Sequence, residues 1–221
     1  MSDESLFREV DEEVRQEQLK KLWYRYGNYI VALCVGVVIA VAAIKGWQYW
    51  QVKQSHAAAA TFGNALSLIS EGKRAEADTA LKGITHPGFA HIATLRRAAN
   101  LAVEGKTDEA VALYDEVGAD AGADPSIRDL ARIRAGYLLA DKLGPAELIG
   151  RLGTLDNDGN QWRGAAREII ALAAYRTGDY AMADRYANAI VADLDVPQSL
   201  RQRAKVILDI VAPLLGAKTQ K

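Results

Sequence analysis

Few side chains in this sequence stand at spacings that do chemistry. His56, His86 and His91 are its only histidines, and none has a second His, Cys or carboxylate placed on one helix face to close a metal shell. They read as surface or turn residues. Asp156-Asn157-Asp158-Gly159-Asn160 has the start of a calcium loop, whose acidic oxygens would hold a hard cation. The Gly falls at loop position four rather than six, however, and position twelve is Arg167 rather than Glu, so a turn leading into a helix is the better account. The single cysteine, Cys34, lies inside a hydrophobic run and reads as a small apolar residue facing lipid. No phosphate-cradling Gly loop, nucleophile elbow or Ser/His/Asp set is present. The chain therefore reads as a non-enzyme with no catalytic, cofactor-binding or metal residues and no small-molecule substrate.

The charge pattern narrows the partners. Net charge is −1, with five Lys/Arg against seven Asp/Glu in residues 1–25 and 22 against 21 in residues 45–221. No basic tract or basic-aromatic stripe occurs, which argues against nucleic acid. Half the residues are hydrophobic and Ala is abundant, a composition suited to helices packed closely through small side chains.

The first element these residues require is a membrane span. Tyr26 to Ile44 is a run of 19 uncharged residues, and a helix of that length rises about 28 Å, close to the hydrocarbon thickness of a bilayer. Aromatic side chains gather at both ends: Trp23, Tyr24, Tyr26 and Tyr29 before it, Trp47, Tyr49 and Trp50 after it. Indole and phenol rings prefer the headgroup region, so these are expected interface anchors. A cleavable signal peptide would need a small-residue site close behind the apolar run, and the nearest, Ala57–Ala60, begins 13 residues beyond Ile44. Arg8, Arg15, Lys20, Lys21 and Arg25 precede the span, and only Lys45 and Lys53 follow closely. The positive-inside rule then predicts a cytoplasmic N-terminus and a large domain across the membrane. Residues 1–25 read as a further, amphipathic helix, with Leu6, Val10, Val14, Leu22 and Tyr26 marking one face. The expected domains are 1–25, a cytoplasmic helix; 26–50, a transmembrane anchor; and 51–221, a repeat domain.

The remainder carries a repeat. A Gly followed five residues later by Ala recurs at Gly72/Ala77, Gly105/Ala110 and Gly178/Ala183, with a degenerate member at Gly144/Ile149. Ala65, Ala98 and Ala171 stand seven residues before the three well-formed glycines, while Tyr137 occupies that place in the third unit. Spacings of 33, 39 and 34 residues between the glycines are those of tetratricopeptide units, each a pair of antiparallel helices. The fold class expected is all-α: a transmembrane helix followed by an α-solenoid of four helix pairs, at 55–70/74–83, 88–104/107–117, 125–142/145–152 and 161–176/179–194, capped by a helix at 197–215. His86-Pro87, Asp124-Pro125 and Val196-Pro197 mark unit boundaries. Carried onto the first helix of each pair, this register sends Phe62, Leu66, Ile69, Ile92, Leu95, Val103, Leu172 and Tyr175 toward a shared face. A partner-binding groove is the expectation there, with filling by neighbouring helices as the alternative.

The charged first helix, the short span, Gly46-Trp-Gln-Tyr-Trp50, Trp162-Arg-Gly-Ala-Ala-Arg-Glu168 and Gly178-Asp179 together resemble the bacterial YfgM-like family, ancillary subunits of the SecYEG translocon. The resemblance covers nearly the whole chain. It implies an inner-membrane protein with a periplasmic domain, standing beside the translocon and a membrane-anchored periplasmic chaperone and assisting newly exported proteins. It supplies no catalytic residues. The competing expectation is a membrane-anchored scaffold that regulates an envelope-stress or cell-wall machine.

Overall fold

The computed structural model describes residues 3–218, with side chains at Lys20, Trp23–Tyr29 and Val31–Leu215. Leu6, Val10, Val14 and Leu22, on which the amphipathic reading of residues 1–25 rests, lie outside the described side chains. All regular structure among the described residues is helical. The elements are α1 (Asp3–Ser70), α2 (Arg74–Lys82), α3 (Pro87–Val103), α4 (Thr107–Ala119), α5 (Pro125–Leu139), α6 (Pro145–Leu152), a 3-10 turn (Gly153–Leu155), α7 (Arg163–Arg176), α8 (Tyr180–Ala192) and α9 (Gln198–Lys218). The chain divides into two units, Met1–His56 and Ala57–Lys221.

Within Trp23–Ser70, α1 is long and apolar enough to cross a membrane, and its most apolar part lies in the first unit. Every large apolar side chain from Val31 to Val52 is more than half exposed. At its aromatic ends Trp23 lies over Gly27 and the Trp47 and Trp50 rings stand 5.5 Å apart.

The second unit is an array of helix pairs. The end of α1 packs on α2 through Ala65 and Leu81, α3 pairs with α4, α5 with α6 and α7 with α8, and α9 closes the series. The turn glycines explain three of the four pairs. Gly72, Gly105 and Gly178 have φ of 80°, 77° and 78°, the left-handed region that a Cβ disfavours. The amide just after each glycine donates to the carbonyl five residues back: Lys73 to Leu68 at 2.8 Å, Lys106 to Leu101 at 2.9 Å and Asp179 to Ala174 at 2.8 Å. The alanines bracketing these turns, Ala65, Ala77, Ala98, Ala110, Ala171 and Ala183, are all fully buried.

The third pair corrects the register read from sequence. Ala77, Ala110 and Ala183 are each the fourth residue of a second helix, and the fourth residue of α6 is Leu148, not Ile149. The equivalent turn position is Leu143, and seven residues before it stands Gly136 rather than Tyr137. Leu148 is fully buried, so a large side chain replaces the small one. Gly136 gives up the space: a Cβ there would lie 2.9 Å from Leu152 and 3.1 Å from Ile169. Gly144 has φ of −74° and simply starts α6. With no left-handed glycine to close this longer turn, Arg176 of α7 holds it, donating to the carbonyls of Ala140 at 3.0 Å and Leu143 at 2.5 Å.

Four buried clusters follow one another along the array. Ala65, Leu81, Ile84 and Ala93 seal the first junction. Ala98, Tyr114, Val117, Ala131 and Ala135 seal the second. Leu148, Leu152, Ile169 and Ile170 belong to the third, and Ala187, Ile190, Ala204 and Val211 to the last. Each junction is therefore built from nearest-neighbour contacts, as expected of a solenoid. The Pro boundaries hold as well: His86 and Asp124 cap α3 and α5, accepting from the amides of Gly88 at 3.2 Å and Ser126 at 2.8 Å.

Candidate functional site

The face made by the end of α1, α3, α5, α7 and α9 carries two cavities. The first, of ≈ 270 Å³, is walled by Phe62, Ile92, Leu95 and Leu130, with Arg96, Ala99, Tyr114 and Arg134 completing it. The second, of ≈ 480 Å³, is lined by Tyr137, Glu168, Leu172, Arg203, Val206, Ile207 and Ile210. The expected groove residues are thus divided. Phe62, Ile92 and Leu95 meet in the first cavity and Leu172 lies in the second. Phe62 also packs against Phe89, ring centroids 6.2 Å apart, while Ile69 turns to the buried cluster of the first junction. Tyr175 is half-exposed beside the ring of Tyr180, 6.0 Å away. Leu66 and Val103 are exposed and line neither cavity.

The floor of the second cavity is an ion pair. Glu168 is nearly fully buried on α7, and Arg203 of α9 reaches it with two N–H groups, Nε to Oε1 at 2.6 Å and a terminal nitrogen to Oε2 at 2.8 Å. The Tyr137 hydroxyl donates to the same carboxylate. Burial, and then this hydrogen bond, hold the Tyr137 phenol well above its ordinary range. The Glu168 carboxylate likewise raises the Arg203 guanidinium. With both oxygens engaged, Glu168 ties α5, α7 and α9 together. The one-residue register shift is what frees Tyr137 for this role.

The segment Trp162–Glu168 is built for position rather than reaction. Arg163 binds Asp193 through Nε at 2.5 Å and a second nitrogen at 2.9 Å, and reaches Asp195 at 3.2 Å. The Asp193 carboxyl is held below its usual range chiefly by Arg163. Gly164 lets α7 approach Val196, whose methyl carbons would lie 2.8 and 3.0 Å from a Cβ. Ala165 and Ala166 are buried. Arg167 binds Asp156 and lies 3.8 Å from Asp158. A guanidinium therefore occupies the acidic loop that suggested calcium, and Gly159 (φ 87°) and the Asn160 side chain, accepting from the Trp162 amide at 2.8 Å, complete its turn into α7. His91 pairs with Asp120 at 2.8 Å, His86 is a helix cap and His56 is exposed.

Sequence reasoning missed Arg96, Arg134, Tyr137, Glu168 and Arg203. The first two had a visible signal, since Ile92/Arg96 and Leu130/Arg134 repeat one apolar-to-basic step of four residues on consecutive first helices.

This architecture defines a class. The chain matches the family described as tetratricopeptide repeat-like domain over residues 20–206, and it belongs to that family. It is also similar to a protein of Escherichia coli (strain K12) named ancillary SecYEG translocon subunit, 24% identical over 168 residues, covering 74% of this chain and 79% of that protein. That is the kind of protein the Gly46–Trp50 and Trp162–Glu168 segments resemble. No solved structure matches the chain.

Proposed function

We propose that this protein is a non-catalytic adaptor of the bacterial inner membrane that associates with a Sec-type translocon and a membrane-anchored periplasmic chaperone to assist newly exported proteins. Residues 26–50 span the bilayer with Trp23, Tyr26, Tyr29, Trp47, Tyr49 and Trp50 at its two surfaces. Residues 1–25 stand in the cytoplasm and the repeat domain, residues 51–221, in the periplasm. The observation that carries the reading is an apolar helical stretch, uncovered by protein and bounded by aromatic rings, joined to a repeat array in a chain similar to an ancillary SecYEG subunit. Apolar area left in water at that scale is unfavourable, and a bilayer removes the cost. The Lys/Arg excess before the span supports the orientation. Non-catalysis is supported by Glu168, Asp193 and Asp156, whose carboxylates are all committed to arginines.

Purification of the tagged full chain from its own membranes in mild detergent tests the association. Channel subunits and a periplasmic chaperone are expected to co-elute. Well-solubilised membranes that yield neither would overturn the reading.

A further inference from the structure

The first cavity holds two arginines with no carboxylate beside them. Arg97, Arg132, Arg151, Arg163, Arg167 and Arg203 each lie within 4 Å of a carboxylate. Arg96 and Arg134 have no such partner among the described residues, a lack they share with Arg25, Arg74, Arg128, Arg176, Arg185 and Arg201, but these two stand in one cavity that no Asp or Glu lines. The Nε of Arg96 is shielded from solvent with no hydrogen-bond acceptor, so the guanidinium meets the cavity through its terminal nitrogens. The ionisable neighbours felt by the buried Tyr114 phenol are these same two arginines.

The apolar walls are placed in step with them. Ile92 and Leu130 each stand four residues before an arginine, on α3 and α5, with Phe62 and Leu95 beside them. Residues four apart share a helix face one turn, about 5.4 Å, along the axis. The cavity thus sets Ile92 and Leu130 about one turn from Arg96 and Arg134, with Leu95 bridging the two levels. An extended chain advances about 6.6 Å in two residues and returns to the same face, so an apolar side chain and a carboxylate two residues apart match both levels. The volume, ≈ 270 Å³, is at the small end of ligand pockets, about 300–1,000 Å³, and has room for a pair of side chains.

We infer that this cavity binds an extended peptide segment bearing an Asp or Glu side chain two residues from a large apolar one. The carboxylate pairs with Arg96 and Arg134, and the apolar side chain lies among Phe62, Ile92, Leu95 and Leu130. The inference rests on the adaptor reading for its biological setting, where unfolded exported chains offer such segments, but its physical claim stands apart from the translocon.

The test uses the full chain in detergent micelles and fluorescent peptides with blocked termini, built on a Leu-Ser-Glu core or on the same core with Gln. Fluorescence anisotropy at low salt should show the Glu peptide binding at least about tenfold tighter, the worth of one charge-assisted contact. R96Q/R134Q should bring the Glu peptide to the level of the Gln peptide, while R96K/R134K, keeping the charge, should retain part of the preference. Circular dichroism reports whether the variants fold, and the Glu-against-Gln comparison on the unaltered protein decides the matter if they do not. Equal binding of the two peptides would overturn the inference. So would equally tight binding of a Gln peptide with a free C-terminus, or displacement of the Glu peptide by anionic phospholipid, which would assign the arginines to a chain terminus or a headgroup. No translocon enters this measurement, so its failure and a failed co-purification are distinguishable.

Discussion

The two units of this chain use similar apolar residues under opposite rules. From Val31 to Val52 the side chains of Val, Leu, Ile and Trp stand open, and neither Gly36 nor Gly46 has a neighbour within 4 Å of where a Cβ would be. In the repeat unit Ile169, Ile170 and Ile190 are fully buried, and Gly136 and Gly164 exist because Leu152, Ile169 and Val196 occupy the space of a Cβ. The difference teaches that hydrophobicity alone does not define a core. The apolar segment meets its solvent along a whole helix and needs no shape complementarity, whereas the repeat unit is held by steric fit at each junction.

Matched substitutions in the two units sharpen that contrast. Ile169→Ala should lower the stability of the repeat unit by about 2–5 kcal/mol through lost burial and a cavity. Val37→Ala should change it by less than about 0.5 kcal/mol. Denaturant melts followed by circular dichroism on the detergent-solubilised chain compare the two. Gly164→Ala forces Val196 to move and should cost about 1–3 kcal/mol, with Gly36→Ala as its neutral counterpart in the same melts. Within the repeats, Gly178→Ala strains a left-handed residue and should cost about 1–2 kcal/mol. Gly144→Ala, at ordinary φ, should cost less than about 0.5 kcal/mol, and a large loss there would contradict the shifted register of the third pair.

The smallest expected effect is in acid. Asp193 has its carboxyl lowered by Arg163, so its contribution is complete above the unfolded carboxylate value of about 3.9 and is lost as pH falls through the lower folded value. Asp193→Asn removes that contribution, so Tm should fall less steeply with acidification below about pH 4 than in the unaltered chain. An unchanged slope would exclude Asp193 as a source of acid sensitivity.

Much of the array was legible because its constraints are local. A left-handed turn needs Gly, so Gly72, Gly105 and Gly178 declared themselves, and the alanines at fixed offsets declared the close-packed faces. The third pair misled because size is exchanged there between two positions, Gly136 and Leu148, and only packing shows which residue yields. The ion pairs were not legible at all. Glu168 and Arg203 are 35 residues apart and Arg163 and Asp193 are 30 apart, separations at which the fold, not the spacing, chooses the partner. The bareness of Arg96 and Arg134 is hidden for the same reason, although the repeated step of four residues was on the surface of the sequence.

The central claim, an apolar helix in the bilayer with the repeats beyond it, is tested most directly by the one native thiol. Cys34 is free and exposed to whatever surrounds the helix. In intact spheroplasts a membrane-impermeant maleimide should leave Cys34 unlabelled. In a Cys34→Ala background it should label a cysteine placed at Gln202, and should reach one placed at Gln18 only after the membrane is opened. Labelling of Cys34 in sealed cells, or of Gln18→Cys ahead of Gln202→Cys, would contradict the account.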